Sequence, residues 1–376
     1  MVPDRKSLRF ATFNVAMSAD NPGEIFAELK LAKHRRYNHI AAIIQHIQPD
    51  VLLLCEFDHL GHGGDDGMLA FFQKEYLEKP QCGQAAIHFP YTYLPSTNTG
   101  LPVMEGEDVS ASPERAHGFG RHHGQYGFVV LSKYPLDTEN SRSWQTLLWQ
   151  DYPGSRMPVS YFEHKGLAPI RLSSKNHIAL PVIVNNQRIH LVACHPTPPV
   201  FDGPERRNLR RNADELQLLH DIVTNASFLI DDNGAKGGID EREPFVIMGD
   251  LNADPANGDG DKVQIRALLS DPILQDVQPQ SEGAAKALFN SRSRGKSRAT
   301  HDRGLRLDYV LPSHHLKPIA SGVFWPKVDD ALASFIYNEK GKAVSGCSSD
   351  HRLVYVDVIL QESSQKQPCE NESQRT

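Results

Sequence analysis

The chain has 376 residues, 39% of them hydrophobic and 23% charged, with 40 basic and 46 acidic side chains and a formal net charge of −6. This is enough apolar sequence for one large core or two ordinary ones, and the acidic balance argues against a surface built to grip long nucleic acid nonspecifically. No apolar run approaches the roughly 20 residues of a membrane helix. Met1–Ser7 carries no apolar signal core, so the chain as given reads as cytoplasmic, or as secreted or periplasmic if a leader has been removed.

Strand-length apolar runs recur in chain order at Leu8–Phe13, Val51–Phe57, Phe128–Leu131, Ile178–Val184, Ile189–Cys194, Phe245–Met248, Leu307–Leu311 and Leu353–Leu360. Several are nearly continuous rather than alternating, the pattern of strands covered on both faces. Ile40, Ile43, Ile44 and Ile47 follow helical spacing up to Pro49, and a second amphipathic stretch runs from about Pro204 to Leu229. The mixture predicts an α/β domain over residues 1–362, with insertions near 59–67 and 140–175 and a disordered tail at 363–376. A Ser/Arg/Lys arm occupies Asn290–Arg298. The five cysteines are irregularly spaced without a zinc pattern, so reduced thiols are expected.

The polar residues that carry information fall at strand ends. Asn14 follows the first run and Glu56 lies at the end of the second. His195 ends the fifth, Asp250 and Asn252 the sixth, Asp308 lies within the seventh, and Asp350 and His351 precede the last. If strand ends gather at one sheet edge, these groups meet in one cleft. Glu56, Asp250, Asp308 and Asp350 would then repel one another unless a cation offset them. An oxygen-rich set helped by Asn14 and Asn252 suits Mg²⁺, with Mn²⁺ or Ca²⁺ as alternatives. His195 and His351 add proton-transfer groups, with Asp350 expected to orient His351. These are the parts for water attack on a phosphate ester.

The strings FATFN (10–14), PDVLLLCEFD (49–58), GQYGFVVLSKYPL (124–136), VACHP (192–196), VIMGDLNADP (246–255), RLDYVLP (306–312) and SSDHRL (348–353) resemble, in order, the motif series of the endonuclease/exonuclease/phosphatase superfamily. The resemblance spans residues 8–360. It implies the DNase I-like fold, a four-layer sandwich of two mixed β-sheets flanked by helices. It also implies Glu56 as the principal metal ligand, with Asn14, Asp250 and Asp350 beside the metal. Asp250 is implied as the group that deprotonates water, Asn252 as an amide for the phosphorane, Asp308 as a second carboxylate, and His351 as a phosphate contact oriented by Asp350. His195 matches a position that is histidine in the secreted nuclease branch and tyrosine in the abasic-site repair branch.

Each residue also has a plainer reading. A single strand-end carboxylate usually faces solvent, and Asp308 has Arg303 and Arg306 nearby to pair with. Arg206, Arg207, Arg210 and Arg211 are first a solvated helix face, although Arg207 and Arg211 are candidates to reach substrate from a helix N-terminus. Lys175 and His177, ahead of a strand, are further candidates. Gly118-x-Gly120 leads into a strand and is no dinucleotide fingerprint, and Asp259 or Asp261 is expected to cap a helix. His59, His62, Asp65 and Asp66 sit in what reads as a flexible glycine loop. The expected activity is phosphodiester hydrolysis by a nuclease or general phosphodiesterase. Phosphomonoester or phospholipid/inositol-phosphate hydrolysis is the alternative, and a silent phosphate-ester-binding module the remote one. A phosphate-ester substrate, including nucleic acid, is the expected partner, and a monomer the default.

Overall fold

The computed structural model describes residues 7–31, 34–167, 169–287 and 296–360. Its strands are β1 (Leu8–Met17), β2 (Val51–Phe57), β3 (Tyr91–Tyr93), β4 (Phe128–Ser132), β5 (Arg142–Ser143), β6 (His177–Val184), β7 (Gln187–Cys194), β8 (Phe245–Asp250), β9 (Asp308–Pro312), β10 (Leu316–Val323) and β11 (Val354–Leu360). Helices α1 (Glu24–Leu31), α2 (Arg35–Ile47), α3 (Met68–Phe72), α4 (Val159–His164), α5 (Arg207–Val223), α6 (Lys262–Ser270) and α7 (Glu282–Lys286) lie between them. All eight expected strands form. The short β3 and β5 and the half-exposed β10 escaped the sequence reading because they carry too little apolar sequence to stand out.

The strands make a six-stranded sheet in the order β10-β11-β1-β2-β4-β3 and a five-stranded sheet in the order β5-β6-β7-β8-β9. Both are mixed: β1 runs parallel to β2 and β7 parallel to β8, and the other pairs are antiparallel.

The near-continuous apolar runs have a direct cause. On β8, Val246 and Met248 face the core between the two sheets, while Phe245 and Ile247 face a second core with Leu216, Leu219, Ile222 and Val223 of α5. On β7, Leu191 and Ala193 alternate in the same way with Val192 and Cys194. Period-two alternation with both faces covered demands apolar residues at every position. The Ile40, Ile43, Ile44 and Ile47 stripe of α2 joins the first core.

The first and last of the described strands, β1 and β11, pair antiparallel from Leu8↔Val358 to Thr12↔Val354. This brings the segment before β11 beside the end of β1, where the Ser349 hydroxyl donates to the Asn14 carbonyl at 2.7 Å. The 59–67 stretch is more tightly built than a flexible loop. The Asp65 carboxylate accepts from the N–H groups of Gly67, Leu69 and Ala70, Asp66 accepts from Met68, and His59 is buried. The amphipathic stretch expected to reach Leu229 ends as a helix at Val223. Asp261 caps α6 through the N–H groups of Val263 and Gln264. Part of the 290–298 arm (290–295) and the expected tail at 363–376 lie outside the described residues.

Candidate active site

Strand register builds the centre of the site. Asp250 closes β8 and Asp308 opens β9, and the pairing sets the two residues directly opposite each other. Like charges facing across a ladder are unfavourable, and here a cationic ring joins them. His351 Nδ1–H donates to Asp308 Oδ2 at 2.9 Å, and its Nε2 lies 3.7 Å from Asp250 Oδ2. Gly249 permits the close approach of β8 to β7, since a Cβ there would lie 2.0 Å from the Cys194 carbonyl oxygen.

From the other sheet, β1 and β2 carry Asn14 and Glu56. The β1–β2 register shifts between Asn14 and Met17, and Glu56 takes φ +54°, outside normal strand geometry. The Asn14 amide Nδ2 donates to Glu56 Oε1 at 3.1 Å and to Asp250 Oδ2 at 3.0 Å, so one side chain ties together carboxylates from both sheets. The Asn14 Oδ1 accepts from the Ala16 N–H, so the amide turns its NH₂ toward the carboxylates. Asn252, at φ +52°, donates its backbone N–H to Asp250 Oδ1 at 3.0 Å and its side-chain amide to the Pro196 carbonyl. His195 Nε2 lies 3.6 Å from Asp250 Oδ2. His195 is fully enclosed, and neither of its ring nitrogens has a hydrogen-bond partner.

One expected partnership changes. The carboxylate bonded to His351 is Asp308 rather than Asp350, although Asp350 lies close enough to the ring to share a cation site with it. Asp350 faces His301 instead, with Oδ2 3.5 Å from His301 Nε2. Nor does Asp308 pair with Arg303 or Arg306. Arg306 binds Asp276 in a two-pronged contact, and Thr300 Oγ1–H donates to Asp308 Oδ2 at 2.7 Å. Sequence reading missed Thr300 and His301, which sit in an irregular segment with no periodicity or motif to flag them.

Burial and charge separate the two histidines. Burial, then Lys175 and His351, press His195 well below its ordinary value, leaving it neutral. For His351 burial also pulls downward, but Asp308 and Asp250 outweigh it and lift the imidazole well above its usual range, so it carries a proton. Burial, reinforced by Asp308, pushes Asp250 up to about 7. Burial also favours neutral Asp350, yet its hydrogen bond with His301 and the charge on His351 hold it well below the usual carboxylate range.

Among the described residues, two groups of side chains could hold a cation: Asp250, Asp308 and His351, and His301, Asp350 and His351. Asp308 Oδ1 is buried without a hydrogen-bond partner. An orphaned carboxylate oxygen among several buried acids is the donor chemistry of a hard divalent ion, so the residues fit one.

Beside this cluster lies a cavity of about 780 Å³, reached by Glu56, Lys175 and His195 and walled by Trp149, Phe162 and Ile170 among others. Of the basic candidates, Lys175, Arg207 and Arg211 line it. Lys175 is buried, with Glu215, Glu56 and Asp250 as its nearest charges. Arg207 pairs with Glu205. Arg211 is not part of a solvated face. It is buried and donates to the carbonyls of Leu172, His117 and Arg171, pinning the segment around 171 to α5. His177 does not line the cavity, and its ring nitrogens are held by Ser173 Oγ and the Glu215 carbonyl. The first free N–H groups of α5, at Asn208 and Leu209, donate to Asp202, which leaves that helix start no vacancy for phosphate.

The sequence profile of the Endonuclease/Exonuclease/phosphatase family matches residues 11–351. Among solved structures, the chain is similar to an endonuclease/exonuclease/phosphatase from Beutenbergia cavernae DSM 12333, at 19% identity and TM-score 0.53, covering 95% of this chain and 72% of that one. The human nocturnin catalytic domain with bound sulfate aligns at 15% identity and TM-score 0.48, over 94% of this chain and 95% of that one. An endonuclease/exonuclease/phosphatase from Bacteroides vulgatus aligns at 12% identity and TM-score 0.48, over 95% and 100%. No curated protein matches the sequence.

Proposed function

The chain belongs to the endonuclease/exonuclease/phosphatase family, whose members are hydrolases acting on phosphoester bonds, and on that premise we propose that it cleaves phosphodiesters by direct attack of water. One observation carries the reading: His195 Nε2 and His351 Nε2 lie 3.6 and 3.7 Å from the same oxygen of Asp250, and the two imidazoles have their proton affinities set apart.

Asp250 has a pKa near 7 and accepts the proton of the attacking water at neutral pH. Protonated His351, steadied by Asp308, donates to a phosphoryl oxygen and offsets the charge that grows there. Neutral His195 has both ring nitrogens free of protein partners and contacts the ester or leaving oxygen. Asn252 supplies an amide next to Asp250, and Asn14 keeps Glu56 and Asp250 at a fixed separation.

Divalent-metal dependence is general in the family. Glu56 and Asp250, with Asp308 or Asp350 nearby, would hold the ion, and Mg²⁺ suits these donors best. When bound it neutralises charge on the phosphoryl oxygens.

The test is hydrolysis of bis-p-nitrophenyl phosphate with and without EDTA, and by Asp250→Asn and His351→Ala. Loss of activity in all three arms is expected. Activity that survives all three overturns the mechanism, and phosphate release from monoesters alone replaces it with phosphomonoester hydrolysis.

A further inference from the structure

The cavity next to the phosphoryl site has a composition that the hydrolytic chemistry does not require. Its buried wall is apolar and aromatic: Trp149, Phe162 and Ile170 are all enclosed. Phe119 and Phe201 also line it but are 57% and 86% exposed, which sets them at the rim. Phe201 further holds φ +61°. A bulky side chain in left-handed backbone is strained, and such strain gathers at ligand-binding segments. An exposed phenyl ring held in that geometry at a cavity mouth needs a reason.

The basic residues of the cavity are engaged within the chain. Arg207 pairs with Glu205, Lys175 lies among Glu215, Glu56 and Asp250, and the Arg211 guanidinium is held by three backbone carbonyls. The cavity also contains Glu114. A polyanion therefore gains little there, whereas an uncharged apolar group gains the area it removes from water. The volume of about 780 Å³ falls in the range of pockets that enclose a small-molecule ligand. Gly118 packs directly against the backbone at Ser174, since a Cβ on it would lie 1.8 Å from the Ser174 carbonyl oxygen. At the polar end, the two unpartnered nitrogens of buried His195 mark where an ester oxygen ends and the apolar arm begins.

We propose that this cavity is a specificity pocket for the bulky apolar arm of a small phosphodiester, with Phe119 and Phe201 closing over that arm. The proposal rests on the phosphodiesterase reading above and adds the substrate class. An aromatic and an alkyl arm share the chemistry that the pocket recognises, and substrate choice separates them.

The experiment compares kcat/KM for p-nitrophenyl methyl phosphate, p-nitrophenyl naphthyl phosphate and p-nitrophenyl octyl phosphate, with a short DNA oligonucleotide as a fourth substrate. All three small diesters release the same p-nitrophenolate, so the ratio of a large-arm to the methyl-arm rate reads the pocket. A ratio of about tenfold or more is expected for naphthyl, octyl or both, and the larger of the two identifies the arm. Phe119→Ala and Phe201→Ala should each lower that ratio about threefold or more, with circular dichroism confirming the fold. A wild-type ratio near one, a ratio unmoved by both variants, or faster cleavage of the oligonucleotide overturns the pocket while leaving the phosphodiesterase reading intact. If no diester turns over, that reading fails, and the pocket is judged by titrating naphthyl methylphosphonate against tryptophan fluorescence. Saturable binding weakened by Phe201→Ala supports it, and no binding overturns it.

Discussion

Around Asp250, buried polar atoms stand without enough protein partners. In the walls of the adjoining cavity the charged groups are tied down within the chain. Asp308 Oδ1 and both nitrogens of His195 have no bond, and acids from both sheets crowd one point. On α5, Arg211 spends its guanidinium on three carbonyls, and Glu215 its carboxylate on the N–H groups of Ser174 and Thr197. Buried groups left unsatisfied cost stability, so the first region carries a cost that only a ligand or ion relieves. The second region is scaffolding that holds loops in place. Loss of a residue from the first should therefore affect rate, and loss from the second should affect folding.

The contrast can be broken at four points, in decreasing order of expected effect. Asp250→Asn removes the proton acceptor and should lower kcat by about 10³-fold while leaving the denaturation midpoint at or above the wild-type value. A large fall in stability with little loss of rate would place Asp250 with the scaffolding. Next, Asp308→Asn should cost about 10²-fold in kcat/KM, because it removes the negative charge that keeps His351 protonated. Asp350→Asn should cost less. The reverse order would restore Asp350 as the partner of His351.

On the scaffolding side, Arg211→Met leaves three carbonyls unpaired and should destabilise the protein by about 3 kcal/mol in urea titrations. A variant as stable as wild type would show that these bonds are replaceable by water. Counted per histidine and per pH unit, the smallest effect is on pH dependence. Burial lowers His59 and His177 to about 4 and His117 to about 3, with His123 and His62 assisting at His59 and the Arg171 and Arg211 charges at His117. The unfolded chain binds these protons near pH 6.5 and the folded chain does not. Their contribution to stability is therefore complete above about 6.5 and is lost as pH falls toward 4, at about 1.4 kcal/mol per pH unit for each histidine. Urea midpoints at pH 7, 6 and 5 check this, and a flat profile across that window would mean that the rings take up protons in place.

Much of the site was legible as strand-end letters. A polar residue that interrupts an apolar run in a sheet covered on both faces has few structural reasons to be there, which is why Glu56, Asp250, Asp308 and His351 stood out. His177 misled the same reasoning, because a strand-end histidine enclosed by Ser173 and Glu215 looks identical in one dimension. Arg211 misled it too, since four arginines at helical spacing read as a wet face until the segment around 171 folds over one of them.

The amino-acid sequence alone determined the strands covered on both faces, the α2 and α5 stripes and the set of acids and imidazoles, because side-chain periodicity and hydrophobicity act locally along the chain. Tertiary structure decided which acid holds which histidine, since that depends on the β8–β9 register and on the pairing of the chain's first and last strands. It also decided the apolar cavity, whose wall brings Phe119, Trp149, Phe162 and Phe201 together from loops and a helix with no common period. Contacts between residues far apart in sequence are settled only when the sheets pack.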